Sequence, residues 1–60
     1  MRTINQLRDD QQARGMSERE FLNFLDYRYK ESVIRDDRFS ARLWKADWET
    51  FSDFVSGGKE

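Results

Sequence analysis

Large apolar side chains recur between residues 21 and 55 at spacings of three, four and seven residues, which is the periodicity of one face of an α-helix. Within residues 18–35 one face carries Phe21, Leu22, Leu25, Tyr29 and Val33. No alternation with period two is long enough to indicate a strand. The pattern therefore predicts an all-α chain.

Both long helices also carry apolar residues outside their main face. In residues 18–35 a second side presents Phe24, Tyr27 and Ile34. In residues 40–56 the main apolar stripe consists of Trp44, Trp48, Phe51 and Val55. Leu43 and Phe54 lie on the flank of this stripe. A first helix over residues 4–14 has only Ile4, Leu7 and Ala13 as apolar residues, so we expect it to fray unless it packs.

Helix beginnings are marked by capping boxes, in which Ser or Thr is followed three residues later by Glu or Gln. The chain has two of them, Ser17 with Glu20 and Thr3 with Gln6. Met16 and Phe21 flank the first box at the spacing of a hydrophobic staple. Gly15 is suited to the left-handed residue that ends the preceding helix.

The third helix is expected to begin at Asp37 or Ser40, after the polar run of residues 35–38. If Ser40 is the cap, Phe39 and Trp44 would form a second staple. Gly57 and Gly58 end this helix. We predict helices over 4–14, 18–35 and 40–56 with a loose tail over 57–60. The architecture is a small antiparallel three-helix bundle, or a helical hairpin with a short N-terminal helix.

The sequence contains no Cys and no His. This excludes disulfides and thiolate metal sites, and it removes the usual general base near neutral pH. The adjacent acids Asp9–Asp10 and Asp36–Asp37 point about 100° apart if they lie on a helix, so they converge poorly. We interpret them as solvated or capping residues, and we expect no enzyme activity, no cofactor, no metal and no small-molecule substrate.

The formal net charge is −1, although charged residues make up 38% of the chain. No overall field therefore draws the protein to nucleic acid or to a membrane surface. No apolar run approaches the roughly 20 residues of a membrane span, and residues 1–6 lead into no apolar signal region. We expect a cytoplasmic protein that does not bind membranes.

Local positive charge nevertheless suggests a nucleic-acid hypothesis. Tyr27 and Tyr29 interleave with basic residues, a combination used for phosphate contacts and base stacking. The candidate residues are Arg28, Lys30, Arg35, Arg38 and Arg42. The alternative is that these cations complement the end of the second helix and pair with nearby acids.

Residues 7–21 resemble the opening of repressor-type helix-turn-helix domains, in which a basic-ended helix is followed by Arg-Gly-(Leu or Met)-Ser-x-x-Glu-Leu. That family then places a tight turn and a recognition helix about eight residues later. Here residues 23–29 continue a single helix. The resemblance therefore carries over no DNA-reading residue, and a DNA-binding regulator remains the alternative function.

Surplus apolar area favours a protein-binding function. The first helix has too few apolar side chains to cover every stripe of the other two, and exposed patches of this kind mark association surfaces. The candidate partner-binding residues are Phe24, Tyr27, Ile34, Trp44 and Trp48. The simplest use of such a surface is a homodimer, which would also stabilise a small fold.

In size and composition the chain resembles the small accessory proteins that temperate bacteriophages encode in their early regions. The likeness lies in general character, since the chain is short, helical and charge-rich and contains no Cys or Pro. It implies a regulator or inhibitor that binds a host protein. The sequence thus predicts a non-enzymatic regulatory protein.

Overall fold

The computed structural model describes residues 2–57, which form three α-helices. Helix α1 spans Ile4–Arg14, α2 spans Glu18–Ile34 and α3 spans Arg38–Ser56. No strand occurs within residues 2–57, so the all-α prediction is confirmed. The predicted tail begins at Gly57, a turn residue, and its remaining residues 58–60 lie outside the described part of the chain.

Helices α2 and α3 pack along their length as an antiparallel hairpin, because only residues 35–37 separate them. Helix α1 lies across one side of this hairpin and packs mainly on α3. The architecture is the predicted helical bundle with a short N-terminal helix.

Both predicted capping boxes are present. The Thr3 hydroxyl accepts a hydrogen bond from the Gln6 backbone N–H, and the Gln6 side chain accepts one from the Thr3 backbone. Ser17 and Glu20 repeat this arrangement at the start of α2. Gly15 ends α1 in the left-handed conformation, with a φ of 67°. Short-range chemistry thus fixes the first two helix starts.

Of the two predicted starts of the third helix, Asp37 and Ser40, the structure shows the first. Asp37 is the N-cap of α3, and its carboxylate accepts a hydrogen bond from the Ser40 backbone N–H at 3.1 Å. Helix α3 therefore starts two residues before the predicted residue 40, and Ser40 is inside it. The proposed Phe39–Trp44 staple is wrong, because Phe39 is 74% exposed. The preceding Asp36 has a φ of 60°, a left-handed conformation that reverses the chain direction.

The core is one small cluster shared by all three helices. Its fully buried side chains are Leu7, Phe21, Leu25 and Phe51. The rings of Phe21 and Phe51 meet edge-to-face with centroids 4.9 Å apart, a favourable aromatic geometry. Each such side chain contributes roughly 1.5–3 kcal/mol when it is buried. Helix α1 is held because its Leu7 enters this cluster.

Two residues that we assigned to the main apolar faces lie largely outside the core. Val33 is 52% exposed and Val55 is 36% exposed. Both lie on the side of the hairpin that α1 does not cover. Near the α2–α3 turn the buried positions are instead the small residues Ser32 and Ala41, which let the two helices approach closely.

Candidate functional site

The candidate partner-binding residues are divided among three places on the hairpin. Phe24 and Trp44 lie on the side that α1 covers, and both pack against the core cluster. Tyr27, Ile34 and Trp48 are exposed by 60%, 84% and 37% of their surface. The five residues therefore do not form one surface.

Phe24 and Trp44, for which the sequence indicates no certain internal partner, have partners within the fold. Their rings meet edge-to-face with centroids 6.1 Å apart. The guanidinium of Arg14 lies 4.4 Å from the Phe24 ring centroid, and that of Arg28 lies 5.2 Å from the Trp44 centroid. Arginine over an aromatic face is attracted to the ring quadrupole. These two aromatic residues help to fasten α1 and α2 to α3.

A chain of ion pairs lies beside this aromatic contact. The buried Asp47 receives hydrogen bonds from the Arg2 backbone N–H at 3.3 Å and from Arg2 Nε at 3.2 Å. Arg2 Nη1 also binds Asp10 Oδ2 at 3.1 Å, and Asp10 Oδ1 accepts from Arg14 Nε at 2.9 Å. The network joins the segment before α1 to the middle of α3. Local sequence patterns do not predict this network. Its one signal is that Asp47 is an acid placed at helical spacing between the apolar residues Trp44 and Phe51 of α3.

The protonation of Asp10 reflects this network. Burial is the largest single influence on the Asp10 carboxyl and opposes its ionisation, but hydrogen bonds and charge from Arg2 and Arg14 together outweigh it. The pKa of Asp10 therefore lies below its ordinary value. The carboxylate is held ionised between two cations, which suits a structural ion pair rather than proton transfer.

One exposed cleft brings the two sequence hypotheses together. It is lined by Tyr27, Lys30, Glu31, Ile34 and Arg35, and we call these five residues the outer α2 surface. The Tyr27 hydroxyl donates to Glu31 Oε2 at 3.4 Å, and Glu31 also pairs with Arg28 at 3.5 Å and Arg35 at 4.0 Å. Candidate apolar and basic residues therefore share one site.

A second exposed surface lies on the side of the hairpin opposite α1. A cleft of about 270 Å³ is lined there by Asp26, Tyr29, Lys45 and Trp48. A neighbouring depression shares Asp26 and Trp48 and extends to Leu22 and Val55. We call these residues the open hairpin face: Leu22, Asp26, Tyr29, Lys45, Trp48 and Val55.

The five candidate nucleic-acid residues do not converge. Arg28 lies over Trp44 on the side that α1 covers, whereas Lys30 is roughly 200° further round α2 and pairs with Asp26 at 3.1 Å. Arg38 lies 3.8 Å from Asp36 at the turn. Arg42 is exposed and has no ion pair within residues 2–57. Their arrangement is dispersed rather than a continuous basic stripe.

Two further features, a metal-binding cluster and a membrane-spanning helix, are absent from the described part of the chain. Within residues 2–57 no three acids are close enough together to hold a metal ion. In the same part of the chain, none of the helices has the length and apolar character required to cross a membrane.

Comparison with known proteins identifies no relative. No protein-family model matches the chain, and no similar curated protein or solved structure was found.

Proposed function

We propose that this chain is a non-enzymatic regulatory protein that binds another protein through the outer α2 surface. The observation that carries this proposal is the pair Tyr27 and Ile34, which line one cleft while 60% and 84% exposed. The partner is expected to present apolar side chains flanked by carboxylates. The absence of His and Cys from the sequence supports a binding function over catalysis.

The apolar part of the surface can supply binding energy. Ile34 is the most exposed of the large apolar residues in residues 2–57. Removing such a side chain from water contributes roughly 1.5–3 kcal/mol. Tyr27 is already oriented by its hydrogen bond to Glu31, so less side-chain entropy is lost when a partner covers its ring. Tyr is also a residue type enriched at binding hot spots.

Charge indicates the chemistry of the partner. The side chains of Lys30 and Arg35 are 69% and 74% exposed and flank the apolar pair. The one carboxylate of the cleft, Glu31, is already shared by Arg28 and Arg35. The surface is therefore net positive at its rim, which favours encounter with an acidic protein surface.

The same charges favour a protein over a nucleic acid. Duplex binding requires several cations that follow one phosphate backbone. Arg28 and Lys30 face different sides of α2, and Arg28 is stacked on Trp44. The outer α2 surface offers two exposed cations beside apolar groups, which is the composition of a protein interface.

Capture experiments with matched variants test this proposal. The full chain, Ile34→Glu and Phe39→Glu would each be immobilised and incubated with lysate of the native cells, and the retained proteins compared by mass spectrometry. Phe39 is also exposed but lies on α3, so Phe39→Glu controls for adding a charge to an apolar position. We expect Ile34→Glu alone to lose specific proteins by at least about tenfold.

Two results would contradict the proposal. One is retention of the same proteins by all three chains. The other is binding of a labelled DNA duplex that weakens steeply between about 50 and 200 mM salt and is lost with Arg42→Glu, because that outcome would favour the DNA-binding alternative.

A further inference from the structure

We propose that the open hairpin face binds a second copy of this chain, with α2 of each copy lying against α3 of the other. The twofold axis of this dimer runs parallel to the helices, between the two hairpins. The proposal goes beyond the protein-binding role of the outer α2 surface and rests on different residues. The two surfaces meet at the Lys30–Asp26 ion pair, but their apolar residues face different sides of α2.

The position of α1 explains why this face is available. Leu7 of α1 enters the core from one side of the hairpin, where Phe24, Trp44 and Phe54 also pack. Leu22 and Tyr29 lie about 80–100° round α2 from the buried Phe21. Together with Trp48 and Val55 of α3 they form the opposite side. No element within residues 2–57 covers it.

The face combines an exposed aromatic side chain with a cleft. Trp48 is 37% exposed and lines the cleft with Asp26, Tyr29 and Lys45. These four residues belong to both helices and lie within about one helical turn of one another along the hairpin. A twofold axis parallel to the helices therefore brings the same patch of both copies together, as in other symmetric dimers.

The charges select one twofold arrangement. An axis parallel to the helices keeps every residue at its height and exchanges α2 with α3. Lys45 of one copy then faces Asp26 of the other, and Trp48 faces the Leu22 and Tyr29 region of the opposite α2. An axis perpendicular to the helices would instead place α2 on α2 and bring the two Asp26 carboxylates together. Opposite charges stabilise the first arrangement and like charges disfavour the second.

The Trp48 indole, which the dimer would bury, also requires a hydrogen-bond acceptor. A Trp N–H that is removed from water without a partner carries a desolvation cost. In the parallel-axis arrangement, Asp26 of the other copy lies at the height of Trp48. Its carboxylate pairs with Lys30 at 3.1 Å and retains further acceptor positions.

The interface must extend beyond the six residues of the open hairpin face. Helix α3 has 19 residues, which corresponds to roughly 28 Å, and two packed helices are roughly 20 Å wide, whereas Lys45 and Val55 are roughly 15 Å apart along α3. Contact along the whole side of the hairpin approaches the lower end of stable interfaces, about 600 Å² per partner. Among residues 2–57 of the isolated chain, only four large side chains are fully buried. Association would therefore add a substantial fraction of apolar burial to a small fold.

Sedimentation equilibrium of the full chain tests the interface. Wild type is expected to dimerise, and Trp48→Glu is expected to raise the dissociation constant at least about tenfold. Ile34→Glu is the matched control, because it adds the same charge at an exposed apolar position of the outer α2 surface. Helical content measured by circular dichroism would show that both variants remain folded. A wild type that stays monomeric at all concentrations, or a dimer that only Ile34→Glu disrupts, overturns the proposal.

Charge exchange tests the arrangement. Asp26→Lys and Lys45→Asp are each expected to weaken self-association, because each places like charges across the interface. An equimolar mixture of the two variants is expected to restore dimers, since each copy then meets its opposite charge. The double variant is expected to self-associate like wild type. In the perpendicular-axis arrangement residue 26 meets residue 26 and residue 45 meets residue 45, so wild type and both single variants all carry like-charge pairs. Single variants that associate as well as wild type, together with a mixture that associates more tightly than wild type, would therefore show α2 against α2 and overturn the proposed axis.

These outcomes separate the two proposals. A monomeric chain that still captures proteins in an Ile34-dependent manner overturns the dimer and leaves the outer α2 surface as the binding site. A dimer sensitive to Trp48→Glu, combined with no Ile34-dependent capture, supports the dimer and contradicts the proposed function.

Discussion

At the scale of single residues, the contact between Arg2 and Asp47 is the one that local sequence patterns do not reveal. The two residues are 45 positions apart, and the carboxylate is almost fully buried. A buried carboxylate is retained only where hydrogen bonds and an opposite charge compensate its desolvation. Asp47 therefore binds the segment before α1 through Arg2 and fixes where α1 begins on the hairpin.

Replacing this acid is predicted to destabilise the fold. Asp47→Asn removes the charge that compensates Arg2, so the free energy of unfolding should fall by about 1–2 kcal/mol. Asp53→Asn is the matched control, because it neutralises an exposed acid on the same helix. Urea unfolding monitored by circular dichroism measures both variants. Equal effects of the two substitutions would show that the Arg2 contact contributes little.

Asp10 gives the fold a predicted pH dependence. Its pKa is lowered in the folded state, with burial opposing the hydrogen bonds and charge of Arg2 and Arg14 that outweigh it. Because the ordinary value is about 3.9, the stabilisation is fully present above about pH 4 and is lost as the pH falls through the folded pKa.

The pH dependence is tested by comparing the unfolding free energies of wild type and Asp10→Asn. The difference in unfolding free energy between wild type and this variant should stay constant from about pH 8 to pH 5 and shrink below about pH 4. Asp9→Asn removes a neighbouring exposed carboxylate and is expected to keep the wild-type profile. A difference that does not change with pH would argue against an ionised Asp10 in the network.

At the scale of helices, the features that the sequence predicts correctly are those determined by contacts between residues no more than four positions apart. The boxes at Thr3 and Ser17 and the left-handed Gly15 follow from side chains that reach the backbone three positions away. Val33 and Val55 belong to the main apolar faces but lie largely outside the core, because helical periodicity gives the apolar direction and does not show how far a neighbouring helix extends. The division of the candidate binding residues among three places depends on the position of α1, which no local pattern encodes.

The start of α3 provides a direct test of the capping assignment. Asp37 accepts a hydrogen bond from the Ser40 backbone, and the same hydrogen bond keeps the pKa of Asp37 below its ordinary value. Asp37→Ala is therefore expected to lower the urea midpoint, since it leaves a helix N–H without its acceptor. Ser40→Ala is expected to have a smaller effect because Ser40 lies inside the helix. The reverse order would restore Ser40 as the cap.

Gly15 provides a second test at this scale. A Cβ at this position would meet no atom within 4 Å, so any effect of substitution comes from the left-handed φ of 67°. Gly15→Ala is predicted to cost about 1 kcal/mol, and Gly15→Asn less, because Asn adopts this conformation more readily. Thermal unfolding of the two variants measures the order. A neutral Gly15→Ala would mean that the turn relaxes to another conformation.

At the scale of the whole molecule, the large apolar residues are divided between a small core and the exposed surfaces. The core holds four fully buried side chains, whereas Tyr27, Ile34, Phe39 and Trp48 remain exposed. A single core in a chain of this length rarely supplies more than about 3–5 kcal/mol of stability. The contacts of α1 therefore decide whether the hairpin presents its two surfaces in a folded state.

Leu7 is the residue on which this dependence can be measured. It is the one fully buried side chain that α1 contributes among residues 2–57, and it contacts a cluster that both other helices share. Leu7→Ala is predicted to cost about 3 kcal/mol, which is most of the expected stability, so α1 should not detach alone. Amide hydrogens of α1 and α2 are then expected to exchange at similarly increased rates. Leu43→Ala, at a half-buried position of α3, is the matched control with a smaller expected loss. Rapid exchange confined to α1 would show instead that the hairpin folds independently and that the first helix acts as a separable cover over Phe21 and Phe51.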